Sequence, residues 1–270
     1  MNAILATPLR VERAAVRPAA RSLSLVRTGI GRAATLPRTD GPVLIAGVGG
    51  GLAPQVRPGD LVVAGTVTAD GHRVELPSAP LLARALRHLG LTVHYGHIGT
   101  TDRIATGDRR KRLASTGALA VDLESATLAA ATSGPVAVVR SIVDTEDHAL
   151  WALGTVGRGV RALRALRVAV PAFEWWAAAI GRREILRGVS RGADLVLVVG
   201  SDSRHLVDVS RWDGARAHLV EDVTGVDLRW LAGARRIGVV ADASVPPEPV
   251  EEVIHALSGL DPTTPTTEVS

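Results

Sequence analysis

Ala118-Leu119-Ala120-Val121-Asp122-Leu123-Glu124-Ser125-Ala126 is the stretch on which the reading of this chain turns. A short apolar run ends in a carboxylate pair, Asp122 and Glu124, and a segment of small, helix-compatible residues follows. The next apolar run, Val136-Ala137-Val138-Val139, delivers Arg140, Ser141 and Asp144. Apolar runs alternating with helix-like segments are the pattern of an α/β sheet. In open α/β sheets ligands gather at the carboxyl ends of strands, so Glu124 and Asp144 fall where chemistry is usually done.

Working outward, Ala3-Ile4-Leu5-Ala6 reads as a strand, Thr7-Pro8 as a tight loop, and the helix after it carries Glu12 in its first turn. Residues 43–46 read as a buried strand that runs into Gly47, Gly49, Gly50 and Gly51. These glycines are predicted to form a loop, because without a Cβ the backbone N–H groups can approach an anion or a sugar closely. They lack the GxGxxG spacing of a dinucleotide site. Residues 61–64 and 93–98 read as strands and 81–89 as a helix.

From 150 to 180 the pattern is helical, with Arg158, Arg161, Arg164 and Arg167 recurring every three residues. The plain reading is a helix packed on the sheet with a solvated basic side. The sharper one, taken with Trp175-Trp176, is peripheral contact with anionic lipid. A second α/β unit begins near Gly181, with strands at 193–201 (turning at its end), 217–220 and 237–240 and helices at 204–212, 226–231 and 247–257. Residues 261–270, rich in Thr and Pro, are predicted to be a disordered tail.

The composition narrows the function. A chain of 270 residues, 46% hydrophobic and 21% charged, is an ordinary globular protein of one large or two moderate domains. It has no cysteine, which removes disulfides, thiolate nucleophiles and cysteine-held iron–sulfur clusters. No signal-peptide layout and no apolar run of ~20 residues is visible, so a cytoplasmic protein is expected. Arginine outnumbers lysine 30 to one, Lys111 being the single lysine, yet the formal charge is only +4 and aromatics are 3%. Such scattered arginines predict no nucleic-acid partner. The eight histidines are dispersed, His94 and His97 fall on opposite faces of a strand, and no metal site is predicted.

The first module resembles the nucleoside phosphorylase and nucleosidase family. The resemblance is carried by residues 4–12, Gly29-Ile30-Gly31, residues 47–52 with Gly59-Asp60, residues 99–103, Asp122-Leu123-Glu124-Ser125-Ala126, and residues 140–144. It implies an α/β sandwich on a mixed sheet, spanning 1–176, that cleaves the N-glycosidic bond of a purine nucleoside by hydrolysis or phosphorolysis. It further implies Glu124 on the ribose hydroxyls, Leu123 against the sugar, Asp144 as acid toward the base and Glu12 activating the attacking water. Gly47, Gly49, Gly50, Thr101 and Arg140 complete the implied substrate contacts. No cofactor is implied beyond inorganic phosphate as a co-substrate, and members usually form homo-oligomers. Short, Arg-rich versions look most like the hopanoid-associated branch, whose substrate, adenosylhopane, is a lipid nucleoside.

Residues 177–260 resemble the C-terminal third of 4-hydroxy-3-methylbut-2-enyl diphosphate reductase, a smaller parallel-sheet α/β domain. Arg182-Arg183-Glu184, residues 195–201, Trp230-Leu231 and residues 238–247 carry that resemblance. The cysteine that would hold the family's iron–sulfur cluster should fall near Trp176 and is missing. Asp202-Ser203-Arg204 replaces the diphosphate-binding loop, leaving Ser244 alone among the expected phosphate ligands. The leading reading is therefore a nucleosidase or phosphorylase fused to a degenerate reductase domain. The competing reading is a non-catalytic accessory of isoprenoid or hopanoid metabolism, or a chain grouped with the reductase by similarity alone. The two are separated by whether Glu12, Glu124 and Asp144 converge on one cavity.

Overall fold

The alternation of apolar runs resolves into two sheets in a computed structural model of the chain, which describes residues 3–145, 155–180, 184–242, 244–261 and 267–269. The larger sheet contains β1 (Ile4–Thr7), β2 (Ser24–Arg27), β3 (Val43–Gly51), β4 (Leu61–Ala69), β5 (His72–Glu75), β6 (Val93–Thr100), β7 (Ala120–Asp122) and β8 (Val136–Asp144). Its helices are α1 (Arg10–Val16), α2 (Ala79–His88), α3 (Gly107–Ala114), α4 (Ser125–Ala130) and α5 (Thr155–Ala179).

Strand order along the sheet is β5-β4-β6-β7-β3-β1-β2, and β8 pairs with both β3 and β4. β3, β8, β4, β6 and β7 thus close into a ring. Pairing is mixed, parallel for β1·β3, β3·β8, β4·β6 and β6·β7 and antiparallel for β3·β7 and β4·β8. Strands covered on both faces must be apolar throughout, and every residue of β1 is buried, as are eight of the nine in β8. The glycines of residues 47–51 are not a loop. They continue β3 as strand, with extended backbone.

The smaller sheet is wholly parallel, in the order β11 (Arg216–Val220), β10 (Leu195–Val199), β12 (Arg236–Ala241), β9 (Glu184–Arg187). Leu195-Val196-Leu197-Val198-Val199 is buried along its full length, as a central strand requires. Around it lie α6 (Arg204–Trp212), α7 (Leu228–Leu231) and α8 (Pro247–Ser258). Gly181, Arg182 and Arg183 of the predicted start of this unit lie outside the described residues.

α5 joins the two units. Ala162, Ala165, Leu166, Ala169, Val170, Phe173 and Trp176 recur at helical spacing and are all buried, against α1, α2, β3 and β8 on one side and α7 on the other. One apolar cluster accordingly runs from Leu5, Leu44 and Val138 through Trp176 to Leu197, Val239 and Leu257. Trp176 is fully buried and its indole Nε1 donates to Ser78 Oγ at 3.0 Å, while Trp175 packs under the Arg229 guanidinium, 5.5 Å from the ring centre. Trp176 therefore offers no apolar surface to lipid, and Trp175 is half-buried. Among the described residues no helix is long and apolar enough to cross a membrane.

Of the predicted tail, residues 262–266 and 270 lie outside the described residues. Thr267–Val269 departs from disorder by forming β13 (Thr267–Val269), antiparallel to β5. The edge strand β5 presents unpaired backbone groups that a β-branched segment can satisfy.

Trp176→Ala is expected to cost about 3–5 kcal/mol, the range for emptying a fully packed aromatic site. Urea denaturation followed by circular dichroism should show the loss as one transition for the whole chain, because α5 is core to both sheets. Two separated transitions in the wild-type protein would contradict that shared core.

Candidate active site

Pro8 and Leu9 break the chain at the end of β1 and start α1, so Glu12 faces inward and is 1% exposed. Its Oε1 accepts from Val48 N at 2.7 Å and its Oε2 from Leu9 N at 2.6 Å. Burial pushes the Glu12 carboxyl up from its ordinary value, while the Val48 N–H, the charge of Arg140 and the Leu9 N–H pull it back in part. The glycines of β3 make room for this arrangement. A Cβ at Gly47 would overlap Arg140 Nη1 and stand 2.8 Å from Glu12 Oε1, and one at Gly50 would stand 3.1 Å from Asp144 Oδ1. Glycine is needed here for close approach of charged side chains, with no left-handed backbone involved.

Arg140, on β8, is 0% exposed and organises the floor. Its Nε donates to Asp122 Oδ2 at 2.7 Å, and its Nη2 reaches Glu124 Oε1 and Ser125 Oγ, each at 2.7 Å. Burial works against the Arg140 charge, but Asp122, Glu124 and Glu12 together outweigh it and raise its pKa. Asp122 caps the turn into α4, its Oδ1 accepting from Glu124 N at 3.2 Å, Ser125 N at 3.1 Å and Thr100 Oγ1 at 2.7 Å. It also neutralises Arg140 through its Oδ2. Glu124 takes the N-cap position of α4. Its carboxyl is pushed up to about 7, by burial first, then by the neighbouring Asp122 and Glu12, against the attraction of Arg140 and an N–H from Gly31.

Asp144 reaches the same place by a bulge. Gly49 pairs with Ile142, but Gly50 pairs with Asp144, so Val143 is the extra residue of β8. One extra residue reverses the face to which all later side chains point, which brings Asp144 in beside Gly50. Arg110, from α3, donates to Asp144 Oδ2 at 2.6 Å and, through Nη2, to the Gly51 carbonyl. No local pattern separates Arg110 from Arg109, which pairs with the surface Asp102 at 2.5 Å; its part in the site was not readable from the sequence.

These side chains line one cavity of about 290 Å³. Glu12, Asp122, Glu124, Asp144, Arg110 and Thr101 supply its polar groups, and Leu9, Ile30, Val48, Ile104, Val121 and Leu123 much of its apolar wall. Gly49 and Gly50 line it too, through β3 backbone. Gly47 and Arg140 do not. Gly47 is covered by the guanidinium and Glu12, and Arg140 lies beneath the floor, holding the carboxylates in place of the substrate contact expected of it. An apolar pocket with a few convergent polar groups and a displaced carboxyl pKa has the character of a small-molecule active site.

Comparison with known proteins matches two separate segments of the chain. Residues 41–157 match the model of the Phosphorylase superfamily and residues 177–258 that of the LytB protein. Among solved structures, a putative methylthioadenosine nucleosidase from Weissella paramesenteroides superposes with a TM-score of 0.54 at 18% identity, over 64% of this chain and 97% of that one. Futalosine hydrolase of Helicobacter pylori superposes with 0.51 at 15% identity, over 64% and 96%. The N-terminal fold is thus that of the nucleosidases, and Glu12, outside the family-model match, joins the site through the fold. The 4-hydroxy-3-methylbut-2-enyl diphosphate reductase of Anaplasma marginale is 41% identical over 80 residues, which are 28% of this chain and 23% of that protein. The enzyme of that name from Azoarcus is 41% identical over 83 residues, 29% and 27%. The chain spans about a quarter of the length of these curated relatives.

The second unit does not fit an iron–sulfur cluster. No thiolate exists in the chain, the indole of Trp176 fills the core where a ligand is expected, and the described residues contain no cluster of metal-binding side chains. Ser244 is turned to Asp242, its N and Oγ donating to Oδ1 at 3.1 and 3.0 Å. His205 stands 3.7 Å from the same carboxylate, and His218 stacks on Trp230 with ring centres 3.9 Å apart.

Arg140→Met should destabilise the protein by about 3–5 kcal/mol at pH 8, since it strands carboxylates in the interior. The loss should shrink toward pH 4.5. Glu12 and Glu124 both have raised folded pKa values, so their protonated forms favour the folded state, and the stability they bring is lost as pH rises, for Glu124 through about 7. Denaturation midpoints of variant and wild type across pH 4.5–8 test this; a gap that does not vary with pH would refute it.

Proposed function

We propose that the N-terminal module cleaves the N-glycosidic bond of a purine nucleoside. The observation that carries this reading is the convergence of Glu12, Glu124 and Asp144, from three separate segments, on one cavity. Breaking C1′–N9 builds positive charge on the sugar and negative charge on the base, so an acceptor near the ribose and an acid near the base both act on the transition state. Glu124 as a carboxylate accepts the ribose hydroxyls. Glu12, made more basic by burial, takes a proton from water as its oxygen bonds to C1′.

Asp144 delivers a proton to N7 of the departing base. Its ion pair with Arg110 means that the base must displace the guanidinium, and Asp144 must take up a proton from solvent, before it can pass one to N7. Arg110, so released, stays close enough to offset negative charge on the base. With inorganic phosphate as the nucleophile, the same cleavage would yield the sugar phosphate. The substrate class we favour is an adenosyl nucleoside, methylthioadenosine or a lipid-linked one such as adenosylhopane. The second module, lacking the residues for the reductase reaction, acts as a structural partner whose α7 packs on α2 and α5.

Incubation with methylthioadenosine, adenosine or an adenosyl lipid, with and without phosphate, should release free adenine from at least one of them. Asp144→Asn and Glu12→Gln should each slow release about 100-fold or more, the usual worth of a positioned acid or base. No adenine from any substrate, or full activity in both variants, would overturn the proposal.

Ribose binding needs the charged form of Glu124, whose carboxyl titrates near 7. KM should therefore fall as pH rises through about 7, and Glu124→Gln should raise KM and abolish that dependence. A KM independent of pH between 5.5 and 8.5 in the wild-type enzyme would count against the assignment.

A further inference from the structure

The mouth of the cavity carries a surface that the chemistry inside does not use. Arg10, Arg13 and Arg17 recur on one side of α1, and with Arg27, at the end of β2, they line a single surface depression. All four are exposed, and no carboxylate lines the depression with them. The one acid of α1, Glu12, is turned inward to Val48 and Leu9. Like charges three and four residues apart on a short helix repel and destabilise it, so nothing in the folding of α1 accounts for this clustering.

An apolar strip adjoins the arginines. Arg10 and Arg27 also line a second, shallower depression with Val11 and Ile30, which are 57% and 52% exposed. That depression shares Pro8, Leu9 and Ile30 with the wall of the nucleoside cavity, and the cavity's far rim carries Ile104, 51% exposed. Four guanidiniums with no ion pair among the described residues, exposed branched aliphatics and the cavity mouth thus form one continuous face.

From this face we infer that α1 and residues 27–30 dock on an anionic phospholipid bilayer, with the cavity opening at the membrane. Guanidiniums meet the phosphate of lipid headgroups as charge-assisted donors, and Val11 and Ile30 enter the interfacial layer beside them. Bases of single-stranded nucleic acid would call for aromatic platforms, and the side chains exposed on this face are aliphatic. No α5 residue lines either depression, and the surface does not depend on which reaction the cavity carries out.

The test is co-sedimentation of the full-length protein with vesicles of phosphatidylcholine alone or with 30% phosphatidylglycerol, in about 0.1 M salt. Binding is expected to the anionic vesicles only. Arg13→Glu/Arg17→Glu should weaken it about tenfold or more, since each basic residue near an anionic surface counts for about a fivefold change in affinity. Val11→Asp should weaken it as well, and thermal melting should show both variants folded. None of these three residues lines the nucleoside cavity, so adenine release from a water-soluble nucleoside should be unchanged. Three results would overturn the inference: equal binding to neutral vesicles; binding that survives the α1 variants and is lost on Arg164→Glu/Arg167→Glu; or no vesicle binding together with retention of RNA or of free phosphate by the arginines.

Discussion

A single guanidinium with no access to water holds the site of this protein together. Arg140 bonds Asp122, Glu124 and Ser125 and lends its charge to Glu12. All three acids line the cavity, and each would otherwise be costly to bury. A fully buried ion pair seldom adds net stability over an apolar replacement, but one broken on one side costs several kcal/mol. The network is therefore better understood as a device for keeping carboxylates poised in a dry pocket than as a source of folding energy. The glycines of β3 belong to the same device, because a side chain at Gly47 would displace the guanidinium.

The charge balance around Arg140 also divides the labour among the acids. Asp122, doubly engaged by backbone N–H groups and the guanidinium, is committed to structure. Glu124 shares that guanidinium with less support and is displaced to about 7. Asp144 stands apart, matched by Arg110 from a different element. Carboxyl groups with contrasting environments in one pocket are the arrangement from which acid and base roles arise.

The second unit is joined to the first through apolar packing. α5 is buried by both units, and Arg84 of α2 donates to the Thr224 carbonyl at 2.9 Å. Its own sheet retains the buried parallel strands of a ligand-binding α/β domain, but the expected phosphate ligand Ser244 is occupied by Asp242 within the chain.

Most strands and helices were legible in the sequence, because apolar runs and helical spacing follow from burial on one or two faces. Glu12, Glu124 and Asp144 were legible as candidates together, through their order in the family resemblance, since an acid at the start of a helix or the end of a strand is alone an ordinary structural feature. What α5 buries was only half legible: helical spacing located its apolar side, but a tryptophan pair beside arginines fits a membrane surface and a protein core equally well until its neighbours are known. Three things were settled by tertiary structure alone. Backbone pairing with β8 makes the glycines a strand, although their composition resembles a loop. The bulge at Val143 turns Asp144 into the cavity, and a one-residue offset leaves no mark in composition. Arg140 and Arg110 could be assigned only once β8 and α3 were placed, since the sequence determines a side chain's charge, and the partners that take up that charge come from strands and helices distant along the chain.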